Sequence, residues 1–431
     1  MSKYSISQML SIINKYSSNI SFLHTISISL LLASLPLPFA FINITFGLFF
    51  VLTLLNYKQL YFKFSFALLI PVLYYLLCVI SLIWTIEIKE TIKYLSKGLF
   101  FIALPLLFSF LPKFNRTKRE TIFNNYSYLM VIATIFYLCR AFYRFIITGE
   151  SHHFFYHDLV TLEVNAIYIS LFISFAFINL FIKKNKKWYD IVSVILLFSF
   201  LILLSSKNVI VITLLATLLS FFYTKSIFKK KNIIIISGAF ILLMIPLSSK
   251  IKERFDLEIQ NTTQNETLEN GIINVSLKNA WEQKDFGPEY YFNGTAFRLY
   301  QARLFKEFLN EYPIFWKGFG ASAGQGKIVQ KQQENHLVDY YGTLNFHNQY
   351  IQSFAELGIF GLILLMLMVS YNWIKALKYN DFVFLFYAIL TTSIMFTESL
   401  FHRQRGIVFF ILLYCIFHRT NQNKKITSIQ I

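Results

Sequence analysis

The sequence predicts an all-α polytopic membrane protein with about 12 transmembrane helices and one large outer loop that itself contains helices. Three observations lead there. Of 431 residues, 56% are hydrophobic and only 14% charged, with a mean hydropathy of +0.53; an ordinary soluble domain is about a quarter charged. Apolar runs close to the ~20 residues that cross a bilayer recur along the chain. The excess of cations, a net charge of +18, falls in short connections between alternate runs, as the positive-inside rule requires. That placement argues against the nucleic-acid partner that a strongly basic chain first suggests.

The run Phe22–Leu55 is too long for one span and carries Pro36 and Pro38, so it reads as two spans with a tight turn. Spans follow at Phe64–Trp84, Ile92–Phe110, Tyr126–Ile147, Asn165–Phe181, Ile191–Ser205, Asn208–Tyr223 and Ile233–Ser248. His347–Tyr371, Phe382–Phe396 and Gly406–Phe417 come after the long polar segment. With the N-terminus inside, the loops bearing Lys58 and Lys63, Lys113 to Arg119, Lys183 to Lys187, Lys225 to Lys231, Lys375 and Lys378, and the tail with Lys424 and Lys425, all lie inside. The outside turns, around Glu87 to Glu90 and Glu150 to Glu163, carry little net positive charge. The expected organisation is a bundle of about nine helices over 1–248, the outer loop over 249–346, C-terminal spans over 347–418 and an inside tail over 419–431. In the loop, Asn261–Gly271 reads as flexible. From Phe297 an amphipathic helix begins, with Leu299, Ala302, Leu304, Phe305 and Phe308 as its apolar face. Met1–Asn19 lacks the apolar core and small-residue cleavage site of a removable signal peptide. Cys78, Cys139 and Cys415 lie in apolar runs, so no disulfide framework is implied.

Candidate functional groups gather at the outer face. Asn348, Gln352 and Glu356 recur every four residues and share one face of a helix entering the membrane. A carboxylate there is costly in lipid and marks a functional hypothesis; its plain alternative is a helix-packing group. His347 stands at the mouth of that stripe and is the candidate base, since an imidazole titrates near neutrality. Lys97 lies inside a span, where snorkelling is the plain explanation. Lys207 sits in a minimal outer turn, Arg298 and Arg303 on the loop helix, and Arg403 with Glu398, His402 and Arg405 in the outer turn Thr397–Arg405. Ordinary surface placement competes for each, but together these cations suit a phosphate or pyrophosphate. Gly358 and Gly361 read as points of close helix packing. Gly318 and Gly320 sit in a glycine-rich stretch. It lacks nucleotide P-loop spacing, with Ile328 where Ser or Thr is needed, and reads as a tight turn. His152, His153 and His157 with Asp158 look like metal ligands, but no fourth ligand is specified, and no metal is assigned.

Arg298, then Pro313-Ile314-Phe315-Trp316-Lys317-Gly318-Phe319-Gly320, then His347-Asn348 with Gln352, Glu356, Gly358 and Gly361, resembles the O-antigen ligase / O-antigen polymerase superfamily of bacterial inner-membrane proteins. Ser81 to Trp84 followed by Lys97, and Ser205-Ser206-Lys207, are similar to family positions, as is the layout with one large periplasmic loop. The resemblance implies a glycosyltransferase that takes a glycan from undecaprenyl pyrophosphate at the periplasmic face. The acceptor would be the lipid A core, another lipid-linked repeat unit or a protein hydroxyl. It implies metal-independent, inverting chemistry with no cofactor and no ATP. His347 would be the base or orienting group, and Arg298, Lys97 and Lys207 contacts to pyrophosphate. Lys207 stands where the family usually has arginine, which removes the bidentate fork there.

A transporter or flippase of lipid-linked intermediates is the competing class. It should show broken helices near the midplane or internal repeats, whereas these apolar runs read as largely uninterrupted.

Overall fold

A computed structural model describes residues 22–55, 62–63, 65–161, 163–223 and 271–420. The helices Phe22–Ala33 (α1) and Phe39–Leu55 (α2) flank the turn carrying Pro36 and Pro38. Phe66–Ile80 (α3) tightens into a 3₁₀ turn at Ser81–Ile83. Ile88–Gly98 (α4) and Phe100–Phe110 (α5) follow each other across Leu99. Arg116–Thr148 (α6) is followed by the short Tyr156–Leu159 (α7), then Ala166–Phe181 (α8), Trp188–Leu203 (α9) and Lys207–Tyr223 (α10). The polar loop supplies Leu277–Glu282 (α11), Gly294–Glu311 (α12), Gln325–Glu334 (α13) and Asp339–Gly342 (α14). It also holds a parallel pair of two-residue strands, Ile273–Asn274 (β1) and Tyr290–Tyr291 (β2). Gln349–Tyr379 (α15), Phe382–Met395 (α16) and Gln404–Arg419 (α17) complete the described chain.

Among the described residues, four stretches are long and apolar enough to cross a membrane: Phe66–Ile83, Ile88–Phe110, Arg116–Thr148 and Gln349–Tyr379. Six shorter apolar helices, α1, α2, α8, α9, α10 and α16, accompany them among the described residues. The expected span Ile233–Ser248, nearly all of Asn261–Gly271, the segment Met1–Asn19 and the tail beyond Thr420 lie outside the described residues. α6 begins ten residues before the expected Tyr126, because Asn115 caps it by accepting the Lys118 amide at 2.7 Å. α17 is buried from Arg405 to Arg419 and packs on α3, α4, α5 and α8. A helix apolar on every side belongs at the centre of a bundle.

α15 departs from the uninterrupted span that its apolar run suggests. Gly358 adopts φ 65, ψ −162 inside it, so two helices meet there at a kink. A break strands helix carbonyls and amides, which in lipid must find partners. The turn Phe315 to Gly320 supplies them. Phe319 and Gly320 amides donate to the Ala355 and Glu356 carbonyls at 2.9 Å each, and the Ile359 amide donates to the Phe315 carbonyl at 2.8 Å. The fit tolerates no side chain on either partner. A Cβ on Gly358 would lie 2.2 Å from the Trp316 carbonyl oxygen, and one on Gly318, itself at φ 68, 2.2 Å from the Glu356 carbonyl carbon. Gly358 is thus the break point rather than a smooth packing contact. Loop backbone plugs the break, unlike the cavity-lining breaks of transporters.

The loop has its own aromatic core, with Phe286, Phe292, Tyr300, Phe308 and Phe346 at its centre. In α12 the buried face is Phe297, Tyr300, Leu304 and Phe308, with Leu299 and Ala302 only half-buried. Ser81 to Glu87 fasten this loop to the bundle. The Trp84 indole donates to the Lys317 carbonyl at 2.8 Å, and the Ala321 amide to the Ser81 hydroxyl at 3.1 Å.

The turns segregate to two ends. At one end Arg405 donates to the carbonyls of Leu35, Leu37 and Glu163, and Asn208 to the Thr397 hydroxyl. At the opposite end Arg419 donates to the Lys63 carbonyl, Arg119 pairs with Asp381 at 2.6 Å and Lys183 with Asp190 at 2.8 Å.

Candidate active site

The polar stripe on the first half of α15 is bonded internally. Asn348 caps the helix: its side-chain oxygen accepts the Tyr350 and Ile351 amides at 3.0 and 3.1 Å. Gln352 donates to Glu356 and accepts from the Phe346 amide and the Ser399 hydroxyl at 3.3 and 3.2 Å. Glu356 is buried and also lies against the Ser322 amide. Gln352 and Glu356 knit the helix to the loop and to the turn after α16 and are buried, whereas Asn348 caps its own helix and stays half-buried.

His347 sits just before that cap at φ 47, a left-handed conformation that side chains adopt only at a cost. The twist lets the chain leave the loop and enter α15 while its ring turns to Glu398. His347 Nδ1 is 3.4 Å from Glu398 Oε2. Glu398 Oε1 is in turn 3.3 Å from Arg298 Nη2. The Arg298 guanidinium is aimed by two carbonyls, Thr397 at 2.9 Å from Nε and Gly294 at 2.9 Å from Nη1. One nearly buried carboxylate thus joins the loop helix to the mouth of α15. Its partners keep 25% and 31% of their side-chain surface open. An ionised carboxylate can only accept, so Glu398 keeps the proton on Nδ1 and leaves Nε2 as the basic nitrogen.

Lys97, Arg403 and His347 surround His402 electrostatically, with Lys93 further along α4. Burial, reinforced by the charges of Arg403 and Lys97, lowers the His402 pKa to about 4, so this ring is neutral. A half-open cavity of about 390 Å³ beside Lys97 is walled by Phe46, Leu99 and Phe100, with Gln404 and Asn43, hydrogen-bonded at 2.7 Å, on its rim. Lys207 opens α10 next to Asn208, whose amide bonds the Thr397 hydroxyl at 2.8 Å, so it stands at the same end. Gly318 and Gly320 form the turn that plugs the α15 break, with positive φ at both. The turn through Gly318 and Gly320 is therefore a backbone clasp.

Arg303 is not part of this cluster. It is buried, donates to the Ala280 and Gln283 carbonyls and pairs with Glu307 at 3.2 Å. Its guanidinium caps the end of α11, where unpaired carbonyls attract cations. The pyrophosphate role expected of it has no geometric support. Glu398, by contrast, is the group that sequence reasoning left out of the site. Its only signal was the single carboxylate in a turn that also carries His402, Arg403 and Arg405.

Residues 191–366 match the family model described as O-antigen ligase. The match takes in Lys207, Arg298, the Gly318 turn, His347 and Gly358, while Lys97, Glu398 and Arg403 fall outside it. No curated protein matches the chain. Over that segment the chain is similar to the O-antigen ligase superfamily, and it carries helices long and apolar enough to cross a membrane.

Proposed function

We propose that the chain is an O-antigen ligase-like glycosyltransferase. It moves a glycan from undecaprenyl pyrophosphate to a hydroxyl of the lipid A core at the periplasmic face of the bacterial inner membrane. The observation that carries this reading is Glu398 bridging Arg298 and His347 in a half-open site rich in cations. Sidedness is supported by charge. Lys63, Lys113, Arg116, Lys183 and Lys187 lie toward the Arg119 end, which is then cytoplasmic together with both termini, and the loop with His347 is periplasmic.

His347 Nε2 accepts the proton of the acceptor hydroxyl as its oxygen attacks the anomeric carbon. The bond from that carbon to the pyrophosphate oxygen breaks, and the electron pair leaves with the polyprenyl diphosphate. Attack opposite the leaving group inverts the anomeric centre. Arg298, with Lys97, Lys207 and Arg403 at the same end, meets the charge that develops on the diphosphate. Glu398 holds the imidazole and shares its charge once it is protonated. The chemistry assigned to these residues uses no cofactor. The cavity beside Lys97 has apolar walls and one cation, which suits the lipid end of the donor.

The test is a reconstituted reaction with lipid-linked glycan and lipid A core. Wild type transfers glycan and Arg298→Ala does not. Transfer by R298A at the wild-type rate overturns the pyrophosphate role. The polysaccharide of a deletion strain separates the acceptors. Lipid-linked polymer accumulates if the chain is a ligase, single repeat units appear if it is a polymerase, and protein-linked glycan disappears if it is a protein O-glycosyl ligase. Translocation without transfer would reveal a flippase.

A further inference from the structure

We propose that Glu150, His152 and His153 form a binding site for one divalent transition-metal ion, zinc by its ligand chemistry, on the loop that follows α6. The local fold builds it. Gly149 ends α6 in a left-handed cap at φ 73, donating to the Phe145 carbonyl at 2.8 Å. The 3₁₀ turn Ser151–Phe154 then brings the two imidazoles together, ring centroids 4.1 Å apart. Glu150 Oε2 lies 3.4 Å from His152 Nδ1 and 3.9 Å from His153 Nε2, and the three ligand atoms all fall within 4.8 Å of one another. A tetrahedral ion with bonds of about 2.0–2.2 Å separates its ligands by roughly 3.4 Å. The trio needs only small side-chain shifts to close on one.

The neighbours fit the same assignment. His153 is 3% exposed, its Nδ1 has no hydrogen-bond partner and its Nε2 is aimed at Glu150 and at the Thr148 hydroxyl, 2.9 Å away. Asp158 Oδ2 lies 3.9 Å from His152 Nε2, the nitrogen opposite the proposed ligand atom, the place of a carboxylate that orients a metal-bound imidazole. Arg140 and Arg144, the nearby cations, both donate to the Asp158 carbonyl, at 3.4 and 2.9 Å. His157, which sequence spacing groups with the others, is used elsewhere: its Nδ1 accepts the Ala166 amide at 3.5 Å. Two imidazoles and one carboxylate select a borderline transition ion over magnesium or calcium. Glu150 and His152 keep more than half of their side-chain surface open, so an ion can enter and water can complete its shell.

The ion acts as a staple rather than a reactant. Farther along the same loop, Glu163 accepts from Arg405, two residues past Arg403. Fixing the loop therefore buttresses the arginine turn beside the site without entering the transfer reaction.

The experiment uses the full chain in detergent, purified without a polyhistidine tag, stripped with chelator and titrated with zinc chloride. Bound metal is read by mass spectrometry and calorimetry. One zinc per chain is expected, with a rise in thermal midpoint. Because a change in the second shell alone costs about 10–100-fold in metal affinity, His152→Ala and Glu150→Gln should each lose at least that much. Both positions are exposed, so the metal-free midpoint should stay at the wild-type value; His157→Gln should keep the zinc. A wild-type chain that takes up no stoichiometric zinc, or an H152A and an E150Q that bind it as wild type does, overturns the site.

Discussion

The two ends of the bundle use charge in opposite ways. At the Arg119 end two cations sit in carboxylate pairs, Arg119 with Asp381 and Lys183 with Asp190, the second pair also held by Tyr128, and the buried Arg419 donates to backbone carbonyls. At the His347 end one nearly buried carboxylate, Glu398, serves Arg298 and His347 together, and Lys97 and Arg403 crowd His402 beside them. A matched buried pair locks helices and has little capacity left for a ligand. A cluster with more cations than anions is electrostatically incomplete, and an anionic substrate completes it. The difference separates charges that hold the fold from charges available for chemistry.

Variants at the two ends should therefore fail differently. The largest effect is expected for His347→Ala, which should lower transfer by about 10²–10⁴-fold, the usual loss of a general base, and leave the thermal midpoint in place. Transfer near the wild-type rate would remove His347 from the mechanism. Arg119→Ala should do the reverse. It removes the buried ion pair with Asp381, at a cost of up to about 3–5 kcal/mol of stability, read as a lower unfolding midpoint in detergent. The molecules that remain folded should transfer normally.

Gly358→Ala tests the clasp between the loop and α15. The strained φ costs about 1–3 kcal/mol, and the backbone contact at 2.2 Å adds to it. Gly318→Ala should lose a similar amount, and the double variant less than the sum, since both open the same junction. Additive losses would mean that the two glycines act independently.

The smallest effect is a pH dependence. His402 has a folded pKa of about 4, below the ~6.5 of an unfolded histidine. The unfolded chain therefore takes up the proton first, so the contribution to stability is complete above about pH 6.5 and is lost as pH falls toward 4. His402→Gln should flatten the decline of the thermal midpoint over that window. An unchanged slope would mean that the ring is not held neutral.

Several features were legible from local pattern because each is written in a short window. α8 and α10 begin within one residue of their expected starts, after caps and turns that carry Asn165 and Ser205. The glycine turn at Gly318 was readable because only glycine serves there. Arg303 was misread because a guanidinium on an amphipathic helix looks solvated until the end of α11 packs over it. The link of Glu398 to the other two was missed because it lies 51 positions from His347 (398 − 347) and 100 from Arg298 (398 − 298). No local periodicity links residues that far apart.

Composition and periodicity by themselves determined that this is a helical membrane protein, where its polar loop interrupts the spans, and that cations accumulate at defined turns. Those properties follow from the cost of placing backbone and charge in lipid, which acts on each segment separately. Tertiary structure decided which charges meet. It put Glu398 between Arg298 and His347, sent Arg303 to cap another helix and broke α15 at Gly358 so that loop backbone could enter. Such outcomes depend on packing between segments distant in the chain, where a shift of an ångström separates an ion pair from a solvated charge.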